Sequence, residues 1–336
     1  FQSIEDVELN SFMTLGYKAS ETLSLDFGYN GRTKERRFNS IRYGYRIVDR
    51  DSTPITDVNN FNDIFNVRNI NIPSGSGLWD LIVLNPISNE VGNVNRPGLP
   101  ENVYQGNLDI HAGYINAQWT PTEKWLVVPG IRMESYSQSV VYDVINIRPD
   151  DPGFRDVYEN IFVPSLNVRY ALNEDTNLRF GFSKTASFPE FKEAAPFVYE
   201  SVTQRVGGNP DLLGGLDGNG ATYSDVYNYD LKYEWFMDRG EILSLAAFAK
   251  TIKNPVNRVV AADATGTQRY FRTGDQANIL GVELEARKNL LLDSNDHPIL
   301  SFGLNASYAY TNQDLRDVAA GDQHTFGTSF DLDSDQ

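Results

Sequence analysis

The sequence has no cysteine and only 3 histidines among its 336 residues. The absence of cysteine excludes disulfide frameworks, thiolate metal sites and a cysteine nucleophile. The histidines form no Ser/His/Asp or His-x-x-x-His arrangement, so we expect no catalytic residues, no metal site and no cofactor. No apolar run approaches the roughly 18 residues that a membrane-spanning helix requires.

Basic residues are also scarce, with 29 Lys and Arg against 45 Asp and Glu, for a net charge of −16. A nucleic-acid-binding protein needs a basic surface that displaces counterions from phosphates, so we expect no nucleic-acid partner. Aromatic residues, in contrast, are abundant at 12% of the chain. The average composition is acidic and polar, but the aromatic fraction is large. The positions of the aromatic residues in the sequence pattern therefore decide which class of protein this is.

Most of the chain alternates apolar and polar residues with the two-residue period of a β-strand. In residues 125–134, Trp125, Ile131 and Met133 fall on one face while Arg132 and Glu134 fall on the other. The same alternation occurs in residues 22–31, 166–170, 178–183, 228–235, 282–287 and 301–310, and more weakly in 11–18, 111–119 and 242–250. We predict about 12 antiparallel strands of about 10 residues each.

The predicted connections are of two kinds. Residues 173–176 and 237–240 are tight turns, whereas residues 48–108 and 186–226 are long stretches without clear alternation. Compact soluble domains rarely carry such long loops. Short turns that alternate with long loops are typical of an outer-membrane barrel.

The composition of the two strand faces favours a membrane barrel. Aromatic residues lie near strand ends on the apolar face, where interfacial girdles would form. Long charged side chains lie in mid-strand on the other face, which suits a wide, wet lumen. The predicted luminal residues are Arg132, Glu134, Arg169, Arg179, Asp230, Glu234, Glu283 and Arg287. A soluble all-β domain with a solvated charged face is the alternative from pattern alone.

A set of short motifs lies between residues 161 and 256. They include the runs 162–170 and 177–185 and the dipeptide Asn254-Pro255. The single motif residues, in chain order, are Pro164, Ser183, Lys184, Pro189, Glu190, Phe191, Pro196, Phe197, Gly208, Asn209 and Pro210. This order resembles the barrel portion of TonB-dependent outer-membrane receptors, particularly the siderophore-receptor-like ones of Bacteroidetes-type bacteria. The strongest similarity covers residues 110–311.

The resemblance implies a transmembrane antiparallel β-barrel of 22 strands with long extracellular loops and short periplasmic turns. It also implies location in a Gram-negative outer membrane, in contact with lipid and lipopolysaccharide. Import of a scarce, bulky nutrient would draw energy from a TonB-type protein acting on a plug domain. Residues 1–336 contain no recognisable plug and no final strands, so we interpret them as the barrel portion alone. A surface lipoprotein partner is the less favoured expectation.

Ligands of such receptors are expected at the long loops. Our candidates there are Trp79, Tyr104, Phe154, Tyr158, Phe197, Tyr199, Arg205 and Tyr223. We expect the luminal charges to contact the wall and a plug rather than the ligand. Ferric siderophore, haem and glycan stay open as ligands. Two alternatives also stay open: a passive porin-like or structural barrel, and a soluble glycan-binding β protein.

Overall fold

The computed structural model describes residues 2–40, 44–47, 80–85, 90–95, 103–143, 151–200, 204–214, 220–260, 267–295 and 297–313. The strands are Gln2–Lys18 (β1), Leu23–Ser40 (β2), Gly44–Ile47 (β3), Asp80–Asn85 (β4), Glu90–Asn95 (β5), Val103–Thr122 (β6), Trp125–Asp143 (β7), Phe154–Ala171 (β8), Thr176–Ser187 (β9), Val198–Glu200 (β10), Arg205–Gly207 (β11), Ser224–Asp238 (β12), Glu241–Lys253 (β13), Val256–Val260 (β14), Gln268–Arg272 (β15), Gln276–Leu292 (β16) and Pro298–Gln313 (β17). A short helix, Phe191–Ala194 (α1), and a 3₁₀ turn, Pro210–Leu213, lie after β9. Within the described residues, no helix is long and apolar enough to cross a membrane.

Ten long strands form one antiparallel sheet in the order β1-β2-β6-β7-β8-β9-β12-β13-β16-β17. Connections at one end, the turn end, are short: residues 19–22, 123–124, 172–175, 239–240 and 293–297. At Gly240, φ is +78°, a left-handed conformation that glycine adopts without steric cost. The opposite end, the loop end, carries the long connections. The predicted all-β architecture and its two kinds of connection are confirmed.

The strand register divides the side chains into two faces. On β13, Ser244, Ala246 and Phe248 share one face with their partners on β12 and β16. We call this the inner face, because the segment after β9 folds over it. The other face, the outer face, exposes large apolar side chains, among them Leu231 at 49% and Leu245 at 57%. A large exposed apolar surface of this kind marks a face that lipid or another protein covers. Its alternation with a polar inner face matches the lipid-facing wall of a membrane barrel.

The strands are longer than predicted, at 12 to 20 residues in the main sheet. The outer face explains the difference, because its apolar band ends before the strands do. Towards the loop end the outer residues change from apolar to polar at Met133/Ser135, Phe162/Asn160, Phe182/Lys184, Leu280/Asn278 and Tyr310/Asn312. Backbone pairing continues past this boundary, so the strands extend beyond the apolar band. At the turn end, Trp125 packs on Tyr170 with ring centroids 4.5 Å apart, as an interfacial aromatic girdle would.

The hydrophobic core lies at the loop end of the inner face. There α1, the 3₁₀ turn and a four-stranded sheet in the order β10-β11-β15-β14 form a second layer over the wall. Wall and layer share one buried cluster: Phe38, Tyr104, Tyr136, Val140, Tyr142, Val157, Phe191, Ala194, Ala195, Phe197 and Leu213. Three further strands pair as β3-β4-β5. The chain therefore buries its core where a loop segment meets the inner wall.

Candidate functional site at the loop end of the inner face

A cavity of about 450 Å³ lies between the inner wall and the segment that follows β9. The wall contributes Arg32, Lys34 and Arg36 from β2, together with apolar side chains of β6. The end of β9 and the loop segment after it contribute residues 186–191, with Glu190 as the cavity's carboxylate. The lining itself therefore carries three cations and one carboxylate. We call Arg32, Lys34 and Arg36 the basic row.

The basic row is held in place by carboxylates on the neighbouring strand. Arg36 donates to both carboxylate oxygens of Asp6 at 2.7 and 2.5 Å, and Arg32 donates to both oxygens of Glu8 at 3.1 Å. Lys34 lies between them, 3.8 Å from Asp6 and 3.6 Å from Glu8. Two-point bonds of this kind fix guanidinium orientation as well as position. The cationic groups are therefore preorganised.

Stacked aromatic rings also line this cavity. Phe188 lies 3.4 Å from Tyr136 between ring centroids and 5.3 Å from Tyr223. Burial raises the pKa of the Tyr223 hydroxyl, so the hydroxyl is neutral at physiological pH. A second cavity of about 550 Å³ shares Ser187, Phe188 and Pro189 with the first and continues to Arg258 and Tyr270. Phe188 therefore separates two adjoining cavities.

The loop segment folds inward because its sequence caps and turns it. Glu190 and Glu193 form a reciprocal capping box that starts α1, with Glu193 Oε2 accepting from the Glu190 N–H at 3.0 Å. Asn209 caps the 3₁₀ turn through its side-chain oxygen, and its N–H donates to the Glu193 carbonyl at 2.6 Å. A Cβ at Gly208 would collide with the Ala195 carbonyl, so only glycine allows this approach. These motif residues therefore build the inward fold.

Aromatic packing anchors the segment to the wall. Phe197 packs on Phe38 and Tyr104, with centroid distances of 4.6 and 5.1 Å. Phe191 occupies the space above Gly106, where a Cβ would clash with its ring. Buried aromatic contacts of this kind stabilise by about 0.5–1.5 kcal/mol beyond their area.

Two arginines, Arg269 buried and Arg272 partly buried, tie the loop segments together. Arg269 donates to the carbonyls of Pro196 and Gly208, each at 3.0 Å. Arg272 donates to the carbonyls of Ala221 and Asn254 at 2.6 and 2.7 Å. Burial lowers the pKa of Arg272 to about 10, so the guanidinium stays charged at neutral pH. Both side chains satisfy carbonyls that the irregular loop backbone leaves unpaired.

The predicted luminal charges all lie on the inner face by strand register. Several are paired along the wall: Arg132 with Glu134 at 2.5 Å, Arg179 with Glu234 at 2.6 Å, and Arg287 with Glu285 at 3.2 Å. Arg169, Asp230 and Glu283 line smaller hollows nearer the turn end. None of the eight lines the loop-end cavity. Their proposed contact with a plug stays a prediction.

The predicted loop ligands are scattered. Tyr104 and Phe197 are buried in the core, while Phe154 and Tyr158 lie in β8 on the outer face instead of in a loop. Tyr199 is exposed in β10, Arg205 lies in β11, and Tyr223 flanks the cavity through Phe188. Trp79 lies outside the described residues. Of these candidates, Tyr223 contacts the cavity residue Phe188, and Tyr104 interacts with the cavity residue Arg36.

Sequence reasoning missed the basic row, Tyr136 and Phe188. The signal was present, because Arg32, Lys34 and Arg36 continue the period of β2 past its apolar stretch at 22–31. Tyr136 likewise follows Glu134 on the inner side of β7. Among the residues that the structure describes, no group of three or more His, Cys, Asp or Glu is placed to hold a metal ion.

Comparison with known proteins gives one family. The family model described as "TonB dependent receptor-like, beta-barrel" matches residues 5–333. Similar solved structures include the copper transporter OprC (TM-score 0.58, 11% identity, 92% of this chain and 38% of that one), the ferric yersiniabactin uptake receptor FyuA from Yersinia pestis (0.51, 14%, 94% and 37%) and the ferric-catecholate import receptor Fiu from E. coli K12 (0.52, 15%, 97% and 40%). No curated protein matches the chain in sequence. The chain covers only 37–40% of the length of the three solved structures named above.

The Arg269 clamp predicts a local effect on stability. Arg269→Met removes two charge-assisted bonds to buried carbonyls, so amide exchange in residues 191–213 should accelerate about a hundredfold. Arg258→Met, an exposed change on neighbouring β14, is the matched control and should leave exchange unchanged. Hydrogen exchange measured by mass spectrometry checks this. Equal exchange in the two variants would show that the clamp does not hold the segment.

Proposed function

The chain belongs to the TonB-dependent receptor-like β-barrel family, and on that premise we propose that it forms part of a 22-stranded active transporter for a bulky anionic nutrient. Members of this family are outer-membrane transporters and receptors of Gram-negative bacteria, so the outer face is the lipid-facing surface. The inner face is then the luminal wall. Covalent chemistry is not part of this function.

The loop-end cavity carries the proposal for the ligand. Its three preorganised cations favour an anionic molecule, and the stacked Tyr136 and Phe188 favour planar groups. A ferric chelate with anionic, flat ligand groups combines both properties. The names of two similar structures, a ferric yersiniabactin receptor and a ferric-catecholate receptor, support that class. Haem or an acidic glycan is the less favoured ligand.

We further propose that the paired charges of the inner face, outside the loop-end cavity, contact a plug domain supplied by another part of the full-length receptor. Paired charges such as Arg132 and Glu134 present both signs to whatever fills the lumen. A plug held by exposed ion pairs is released at low cost, because each such pair contributes only about 0–1 kcal/mol. A TonB-type protein pulling on the plug would then open the path. A surface lipoprotein is not required for this mechanism.

The basic row predicts a loss of affinity on neutralisation. Arg36→Gln should weaken binding of a ferric tris-catecholate to the full-length receptor by about tenfold, since one charge-assisted contact is lost. Arg287→Gln, an exposed wall cation paired with Glu285 away from the cavity, should change the affinity less than twofold. Titration of intrinsic fluorescence with the chelate gives both dissociation constants.

Equal weakening by both substitutions would contradict the assignment, because it would indicate general electrostatic attraction. No weakening by Arg36→Gln would contradict it as well, since the cavity would then not be the binding site.

Energised transport predicts a separation of binding from uptake. In cells that express the full-length receptor, a protonophore should abolish uptake of the labelled ferric chelate and leave surface binding intact. A passive, porin-like barrel predicts that uptake continues unchanged. Counting cell-associated label before and after an excess of unlabelled chelate distinguishes bound from imported ligand.

A further inference from the structure

The second cavity lies between the inner wall and the hairpin of β14 and β15, and we call it the hairpin cavity. The wall lines it with residues of β12, β13, β16 and β17, among them Thr311 and Gln313. The hairpin contributes Asn257 and Tyr270, among others. The basic row does not line this cavity, which at about 550 Å³ is larger than the loop-end cavity. Two adjoining cavities therefore present different side chains.

One buried hydroxyl orients the amide groups of the hairpin cavity. Asn257 Nδ2 donates to Thr273 Oγ1 at 2.6 Å, and Gln313 Nε2 donates to the same oxygen at 3.1 Å. Because both amide nitrogens are bound to Thr273, the two amide oxygens are the atoms left to accept hydrogen bonds from a ligand. The hydroxyls of Thr311 and Tyr270 add groups that both donate and accept. A ligand group that carries hydroxyls matches this set.

The charges that line the hairpin cavity are balanced. Its lining includes one carboxylate, Glu193, and one guanidinium, Arg258. The loop-end cavity, in contrast, is lined by the three cations of the basic row and one carboxylate. A ligand that occupies both cavities would therefore combine an anionic part with an uncharged part.

Phe188 is the side chain between the two cavities. Its backbone is held on both sides, because Ser187 pairs with Ser224 on β12 and α1 begins directly after Glu190. Its ring is half-buried and packs on Tyr136 and Tyr223. Rotation about the Cα–Cβ bond moves the ring while the backbone stays in place. The partition is therefore a side chain that a ligand can displace.

We propose that the two cavities form one site for a two-part ligand, with an anionic planar chelating group beside the basic row and an uncharged, hydroxyl-bearing group such as a sugar in the hairpin cavity. The ring of Phe188 turns aside so that the ligand spans both. Pockets for drug-sized ligands have volumes of about 300–1,000 Å³, so each cavity holds one part of a bulky chelate. This inference rests on the proposed function and specifies its ligand further.

Two ferric chelates test the inference on the purified full-length receptor: a ferric tris-catecholate, and the same chelate with a glucosyl group on one ring. The unaltered receptor should bind the glucosylated chelate about tenfold more tightly. Thr311→Val on the wall and Tyr270→Phe on the hairpin each remove one hydroxyl from the hairpin cavity. Each should weaken binding of the glucosylated chelate about fivefold and change that of the unsubstituted chelate less than twofold. Isothermal titration calorimetry gives the dissociation constants.

Ser307→Ala is the matched control. It removes a hydroxyl from the same strand and the same inner face as Thr311, about 13 Å away along β17. Ser307 lines a separate hollow beside Glu283 and Glu285. This substitution should change neither dissociation constant more than twofold.

Phe188→Ala tests the partition. Because no ring then has to be displaced, the ratio of the two dissociation constants should shift further in favour of the glucosylated chelate. An unchanged ratio would overturn the role of Phe188 as the partition.

Equal affinity of the unaltered receptor for the two chelates would overturn the two-part ligand, as would equal effects of Thr311→Val and Ser307→Ala. Arg36→Gln distinguishes that result from failure of the proposed function. If Arg36→Gln weakens both chelates and Thr311→Val weakens neither, the loop-end cavity binds the chelate and the two-part ligand is wrong. If Arg36→Gln weakens neither chelate, both proposals fail.

Discussion

The pairing of ten antiparallel strands is the constraint on which the other features depend. It satisfies the backbone groups of the wall without a helix and sends successive side chains to opposite faces. One strand can thereby present Leu245 to lipid and Ser244 to the lumen. The acidic, polar composition is compatible with a membrane protein for this reason, since an apolar band needs only every second residue.

The loop-end site follows from the same arrangement. Beyond the apolar band the strands remain paired, so the inner face of β2 places Arg32, Lys34 and Arg36 in a straight row level with the polar part of the outer face. The segment after β9 then packs on this extension through Phe191 and Phe197. The wall supplies the cations and the folded segment supplies the rings. Neither element would form the cavity alone.

The period of the sequence was sufficient to predict the ten strands of the main sheet, the turn end, and the face on which Arg132, Arg179 and Glu283 lie. It did not predict the seven short strands, some of which lie in stretches expected to be loops. The lengths of the strands were not predictable from apolar alternation, because polar outer residues such as Ser135 and Ser137 extend β7 without an apolar signal. Strands joined by a hairpin are close together in the sequence, so the local apolar pattern is enough to predict their pairing.

The cavity was not predicted, for a related reason. It joins β2 to residues 186–191, which are distant in the chain, and no local pattern records that contact. The motif around Pro189, Glu190 and Phe191 was recognised, but its role as a capped turn folded over the wall depends on Gly106 and Gly208, which clear the space. Tyr104 and Phe197 were predicted as ligand contacts because aromatic residues in loops suit that role; they are buried instead, because they anchor the segment.

The central claim is that the two faces of this sheet meet different solvents, and adjacent substitutions on β13 test it most directly. Leu245→Arg places a charge on the outer face, and Ala246→Arg places the same charge on the inner face between Glu283 and Lys232. The free energy of unfolding of the full-length receptor in lipid vesicles, measured by urea titration, should fall by about 2–4 kcal/mol for Leu245→Arg. For Ala246→Arg it should change by less than about 1 kcal/mol. Equal losses, or a larger loss for Ala246→Arg, would contradict the assignment of the outer face to lipid.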